Sequence, residues 1–201
     1  MQAQKRECRM ILDAKTLSPV LPDDVVEAGI LALQTAKDAG LTIATAESCT
    51  GGLMASLLTD IEGASAAFDR GFVVYSKRAK SQVLGLGESM IERFGAVSEP
   101  VARAMAEGAI SRSDASIAMA ITGFAGPAGP DDEPGLVHFA CASAGQVTRH
   151  RSAHFGNIGR GATRIAALRV ALDMLTASMS LAASTVGEAS RQGLSGHGRY
   201  W

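Results

Sequence analysis

Apolar positions along the chain recur in two different periods. Pro22 and Asp23 open a segment in which Val26, Ile30 and Leu33 fall on one helical face, and Gly40 ends it, which predicts a first helix. Leu41 to Ala46 (LTIATA) is a short β-branched apolar run, followed by the tight sequence ESCTGG and the helix-like LMASLLTD, giving the order strand, glycine turn, helix. Gly71 to Ser76 reads as a second strand with Tyr75 at its end, and Lys77 to Leu86 as a helix. Ser98, Glu99 and Pro100 form a helix start with a capping hydroxyl, an acid at the positive end and a proline whose missing N–H does no harm there. That helix is expected to run to about Arg112.

Ala115 to Thr122 is a near-continuous apolar strand, the pattern of a strand covered on both faces. The glycines and prolines of GFAGPAGPDDEPG then form a loop. Leu136 to Ser143, a short turn at 144–146, and Val147 to Phe155 form a hairpin, which makes the sheet mixed. Ile165, Leu168, Leu172, Leu175 and Met179 recur at intervals of three and four and mark the sheet-facing side of a last helix. The expected fold is α/β: a single-domain mixed β-sheet flanked by helices over residues 21–180, with an N-terminal tail at 1–20 and a flexible C-terminal tail at 181–201.

Composition sharpens this picture. Apolar residues make up 47% of the chain and aromatic residues only 4%, so the core is built from Ala, Val, Ile, Leu and Met. A net charge of −1 supplies no field for gathering nucleic acid or an anionic membrane, and neither is expected as a partner. No run of eighteen apolar residues and no secretory leader is visible, and Cys8, Cys49 and Cys141 have neither disulfide nor zinc spacing. A cytoplasmic protein without metal or cofactor is the expectation.

In α/β sheets ligands collect beyond the carboxyl ends of strands. Three loops lie there: Glu47 to Gly52, Tyr75 to Lys80, and Thr122 to Gly135. In the first, Ser48 sits in the turn, and the backbone N–H groups of Thr50, Gly51 and Gly52 are expected to point outward where a helix begins, able to hold a phosphate or a developing oxyanion. From the residues alone, the turn reads equally as a plain glycine-rich connection with a capping hydroxyl. It contains neither GxxxxGK[ST] nor GxGxxG, so two common nucleotide-binding loops are excluded.

A serine needs a base. His138, His150, His154 and His197 do not follow the order that a GxSxG hydrolase requires. Lys80 is the alternative, although a helical lysine is ordinarily a solvated charge, and Tyr75 is ordinarily an amphipathic core residue. Thr122, Gly123, Ala125 and Gly126 leave a buried strand without bulk, so a ligand could approach their backbone. The acidic run Asp131 to Glu133 reads as a solvated turn. Arg160 and Arg164, four apart at the start of the last helix, oppose its dipole and suit either an anionic partner such as phosphate or a surface carboxylate.

Five segments in order carry a resemblance: TAESCTGG, FDRGFVVYSKRAK, GAVSEPVARAMAEGA, ITGFAGPAGP and FGNIGRGATR. Together they resemble the CinA C-terminal domain family, over about Val25 to Met179. The characterised members are nicotinamide mononucleotide amidohydrolases, in a family also linked to competence and DNA damage. The resemblance implies hydrolysis of the carboxamide of nicotinamide mononucleotide to nicotinate mononucleotide and ammonia, a salvage step in pyridine nucleotide metabolism. It implies Ser48 as nucleophile, Lys80 as general base, Tyr75 as a hydroxyl that orients or relays the proton, and N–H groups around Thr50 and Gly51 as oxyanion hole. It further implies Gly52 and the Thr122 to Gly126 turn as substrate-binding, and Arg160 or Arg164 as the phosphate ligand.

The sequence departs from the family pattern twice. DDEPGLV stands where KPVGTV is common, exchanging a lysine for Glu133, and FGNIGR has one residue more than FxGDR. Two-domain relatives carry an N-terminal nucleotide-processing domain, which the first twenty residues are too few to hold. Two functions remain open: the amidohydrolase, with a small-molecule pyridine nucleotide as partner, and a non-catalytic nucleotide-binding or damage-response interaction module. Assembly into a homo-oligomer is compatible with either.

Overall fold

A computed structural model describes residues 21–126, 129 and 132–193. The elements run α1 (Asp23–Ala39), β1 (Ile43–Glu47), α2 (Leu53–Asp60), β2 (Phe68–Val73), α3 (Lys77–Leu84), α4 (Glu88–Phe94), α5 (Glu99–Ser111), β3 (Ile117–Gly123), β4 (Leu136–Ser143), β5 (Arg149–His154) and α6 (Arg160–Gly193). One five-stranded sheet has the order β2-β1-β3-β4-β5. β1 runs parallel to β2 and to β3, whereas β4 pairs antiparallel with β3 and β5. The expected mixed α/β sheet flanked by helices is what the chain forms.

The two faces of the sheet differ in side-chain size. Ile43, Ile117, Met119, Ile121, Val137 and Phe139 point toward α1, α2 and α6, together with Leu33, Leu57, Leu168 and Leu172. The opposite face is lined by Ala44, Ala46, Ala118, Ala120, Ala140 and Ala142, against which α5 lays Val101, Ala102, Met105 and Ala106. Strand alternation sends successive residues to opposite faces, so a run such as IAMAI serves a thick layer on one side and a thin one on the other. The small face lets α5 lie close, and its Gly108 has the Leu84 carbonyl within 2.4 Å of where a Cβ would stand.

Several expectations need correction. In α1 the buried stripe is Val25, Gly29, Ala32, Leu33 and Ala36, while Ile30 is exposed. Gly40 ends that helix in the left-handed region, as its position suggested. The second strand lies three residues earlier than expected, so Tyr75 stands beyond its end. β2 is an edge strand and largely exposed, which is why its polar half, Asp69 and Arg70, lacks the apolar signature. α4 escapes a periodic reading because Ile91 is its one buried residue. Ser98 precedes α5, but its hydroxyl donates to the Gly95 carbonyl and does not cap the helix.

α6 continues to Gly193, past the expected domain end at 180; residues 194–201 and the expected tail at 1–20 lie outside the described residues, as does Asp131. No helix among the described residues is long and apolar enough to cross a membrane.

Candidate active site

β1 and β3 are parallel neighbours and end at the same edge of the sheet, with Glu47 level with Ile121. Their carboxyl ends, the segment after β2, the α4–α5 connection and the start of α6 enclose a cleft of ≈ 240 Å³. Ser48, Tyr75 and Lys80 line it with Ala96 and Val97, and the Thr122 to Gly126 turn and Arg160 complete the wall. Phe124, Cys49, Ala96 and Val97 were not singled out from the sequence, because small or apolar residues carry no chemical signal until the fold brings them to one place.

Ser48 follows the last residue of β1, and its N–H donates to the Ile121 carbonyl, which extends the β1–β3 ladder by one residue. Lys80 comes from the first turn of α3, whose start is capped by the Ser76 hydroxyl accepting from the Ala79 N–H. The lysine is only 1% exposed. Its Nζ lies 2.8 Å from Ser48 Oγ and 2.9 Å from the Val74 carbonyl oxygen. The usual reading of a helical lysine as a solvated charge therefore fails here. Burial brings its pKa down from 10.5 to about 8, since an ammonium removed from water loses more than an amine does. Cys49, next to Ser48, is pushed the other way: burial raises its thiol to about 12, which keeps it neutral and inert.

The turn itself corrects the expectation for its amides. The Gly51 N–H donates to the Ser48 carbonyl at 3.0 Å, and the Gly52 N–H to Glu47 Oε2 at 3.1 Å. Neither Gly51 nor Gly52 therefore offers a free donor. Both adopt left-handed φ values, 63° and 90°, and this conformation is what their lack of a side chain permits. Among the described residues, the N–H groups left without an acceptor in the turn are those of Cys49 and Thr50.

Glu47, fully buried, is a site residue that sequence reasoning passed over. Besides Gly52, it accepts from the Met54 N–H at 3.1 Å and the Ala55 N–H at 2.8 Å, and so caps α2 from the preceding strand. The signal was present: one acid at the end of an apolar strand, just before the helix whose donors it satisfies.

The substrate-side residues separate. Thr122 is buried, and its hydroxyl donates to the Ala96 carbonyl at 2.8 Å, joining the third loop to the α4–α5 connection. Gly123 lines the cleft, and a Cβ there would stand 2.7 Å from the Leu136 carbonyl, so its bareness serves strand packing. At Gly126 a Cβ would lie 2.3 Å from an Arg160 guanidinium nitrogen, so this glycine makes room for that side chain. Arg160 lines the cleft, is exposed, and has no carboxylate partner among the described residues. Arg164 lies apart from the cleft wall, and its guanidinium donates to the Thr50 carbonyl from behind the turn. Tyr75 is on the wall and 66% exposed, and no hydrogen bond joins its hydroxyl to Ser48 or Lys80, so a proton relay through it has no support in the geometry. Glu133 meets His154 Nδ1 at 2.6 Å, which places the DDEPG substitution in a surface hydrogen bond.

Fold and site define a single-domain α/β protein with a buried serine–lysine pair at the carboxyl ends of parallel strands. The CinA C-terminal domain model matches residues 28–179, and the chain belongs to that family. It is 46% identical over 145 residues to the nicotinamide-nucleotide amidohydrolase PncC of Escherichia coli K12, covering 71% of this chain and 87% of that protein. A CinA-like protein of Akkermansia muciniphila is 53% identical over 111 residues, which are 54% of this chain and 27% of the relative, so the chain spans about a quarter of that longer protein. The crystal structure of a competence/damage inducible protein from Agrobacterium tumefaciens superposes with a TM-score of 0.76 at 45% identity, covering 78% of this chain and 96% of the other. A CinA superfamily protein from E. coli gives 0.70 at 38% identity, over 77% and 91% of the two chains.

Proposed function

We propose that the protein is an amidohydrolase that converts nicotinamide mononucleotide to nicotinate mononucleotide and ammonia, with Ser48 as nucleophile and Lys80 as general base. The observation that carries this reading is the 2.8 Å contact between Lys80 Nζ and Ser48 Oγ in a site where burial holds the lysine near pH 8. A neutral lysine has two N–H bonds and one lone pair. The Val74 carbonyl takes one N–H, which leaves the lone pair free to face the serine hydroxyl.

In that state Lys80 removes the Ser48 proton as Oγ attacks the carboxamide carbon, and the C=O electron pair moves onto oxygen. The N–H groups of Cys49 and Thr50 receive the oxyanion. The protonated lysine then gives its proton to the amide nitrogen, the C–N bond breaks, and ammonia leaves an acyl-serine ester. A water molecule, losing one proton to Lys80, attacks the ester; collapse breaks the C–Oγ bond, returns that proton to Ser48 Oγ and releases the acid, whose remaining proton passes to ammonia or solvent to leave the carboxylate. Arg160, at the cleft mouth, suits the nucleotide phosphate, and the Tyr75 ring suits a face of the pyridinium or the ribose.

The substrate identity is supported by the PncC relative, a nicotinamide-nucleotide amidohydrolase. A soluble cytoplasmic setting accords with the charge and cysteine pattern. The test is ammonia release from nicotinamide mononucleotide by the purified protein. Ser48→Ala and Lys80→Ala are expected to abolish it, and full activity in either variant would remove the mechanism.

A further inference from the structure

We infer that Glu47 and Arg164 are positioning residues that set the oxyanion hole, each fixing one of the two peptide planes on either side of Gly51. This rests on the amidohydrolase reading above. It extends that reading to two side chains that lie behind the turn and touch neither Ser48 Oγ nor the cleft.

Consecutive left-handed glycines would leave the turn free to choose among backbone conformations. Two charges remove that freedom. Glu47 is buried, a costly place for a carboxylate without donors, and it takes the Gly52 N–H, which belongs to the Gly51–Gly52 peptide. Its other acceptances, from Met54 and Ala55, anchor it to α2. Arg164, from the second turn of α6, donates to the carbonyl of the Thr50–Gly51 peptide.

A trans peptide carries its C=O and N–H on opposite sides. Holding the Thr50 carbonyl toward Arg164 therefore turns the Gly51 N–H the other way, where it meets the Ser48 carbonyl at 3.0 Å. Holding the Ser48 carbonyl in turn directs the N–H of the Ser48–Cys49 peptide away from it. That amide and the Thr50 amide are the two without an internal acceptor. Orientation thus passes from a guanidinium through two peptide groups, Thr50–Gly51 and Ser48–Cys49, joined by a hydrogen bond, to the donor that meets the oxyanion. The same carboxylate takes the Gly52, Met54 and Ala55 N–H groups at this helix N-terminus, donors of the kind that bind phosphate elsewhere.

The experiment compares Arg164→Met and Glu47→Gln with the wild type, after thermal melts establish the folded fraction. Loss of an oxyanion donor costs about 100-fold or more, and a misdirected one less, so kcat is expected to fall about 10- to 100-fold. KM should stay within about twofold and the acidic limb of the pH profile should not move, since neither residue touches Lys80. Affinity for pyridine-3-boronic acid, which forms a tetrahedral adduct on the serine, should fall with kcat, and Arg164→Lys should recover part of both.

A raised KM with unchanged kcat in Arg164→Met would make that arginine a substrate ligand and overturn the inference, as would wild-type kcat in both variants. If Glu47→Gln does not fold, Arg164→Met alone decides. A fluorophosphonate that labels Ser48 separates the two levels of the claim. Labelling of the wild type and both variants at equal rates ends this inference alone, and a wild type that neither labels nor releases ammonia ends the amidohydrolase reading and this inference with it.

Discussion

Two segments at the same edge of the sheet, Ser48 to Gly52 after β1 and Thr122 to Gly126 at the end of β3, look alike in sequence and do different work. Both follow buried strands, both contain two glycines, and both line the cleft. In the first, glycine is required for conformation: Gly51 and Gly52 have φ of 63° and 90°. In the second, glycine is required for space: Gly123 accommodates the Leu136 carbonyl and Gly126 the Arg160 guanidinium. One turn carries Ser48 on a backbone tied down by Glu47 and Arg164, and the other is a wall shaped by what packs against it. Similar composition thus says little about role until the cause of each glycine is known.

The comparison can be broken at several points. The largest effect is expected from Lys80→Met, which removes the base proposed for Ser48; kcat should fall about 1000-fold or more, as measured by single-turnover ammonia release. Next, Gly52→Ala forces a side chain into the left-handed region, with its Cβ 3.1 Å from Val73. It should lower kcat by about 10-fold or more and destabilise the fold by roughly 1–3 kcal/mol in denaturant titration. Gly126→Ala in the second turn should behave differently. The obstructed group is a mobile guanidinium, so stability should hold while KM rises about 10-fold, matching Arg160→Met if that arginine binds the phosphate. Equal losses of kcat in both glycine variants would erase the distinction between the turns.

The pH dependence follows from the same lysine. kcat/KM should climb about tenfold per pH unit and level off near pH 8, as Lys80 loses its proton. A profile flat from pH 6 to 9 would exclude lysine as the base.

Stability gives the smallest effect and has the opposite sense to a helpful ion pair. The folded state gives up the Lys80 proton near 8 and the unfolded chain near 10.5, so the unfolded chain binds more protons between those values and stability rises with pH across that window. Below pH 8 the full cost is present, roughly 3 kcal/mol. Cys49 and Cys141, raised to about 12 and about 11 by burial, pull the other way above pH 9. Subtracting Lys80→Met from wild type therefore isolates the lysine: the variant should be the more stable at pH 7, with the difference shrinking toward pH 10.5.

Much of the site was legible before folding was considered, because chemistry-bearing residues mark the chain. Ser48 in a strand–glycine–helix turn and Lys80 behind a strand end were visible, as was Arg160 at a helix start. The free amides of Gly51 and Gly52 were misread, and the Tyr75 relay met no hydrogen bond that supports it. Each depended on hydrogen-bond partners that a linear pattern does not encode. Likewise, β2 was placed late because an edge strand need not alternate apolar residues, and α4 was missed because a single buried side chain leaves no period.

By itself the sequence determined the α/β layering, through apolar runs matched to strands and to helices, and the candidate nucleophile and base, through residue types confined to turns. Only the tertiary structure decided that Lys80 loses its water and meets Ser48. The same holds for Glu47 taking the amides assumed to be free, and for the division of Arg160 and Arg164 between the cleft and the back of the turn. The reason is physical. Periodicity and propensity are properties of neighbours along the chain, whereas burial, pKa and the pairing of a donor with an acceptor are set by groups brought together from distant positions, such as Ser48, Lys80 and Arg164.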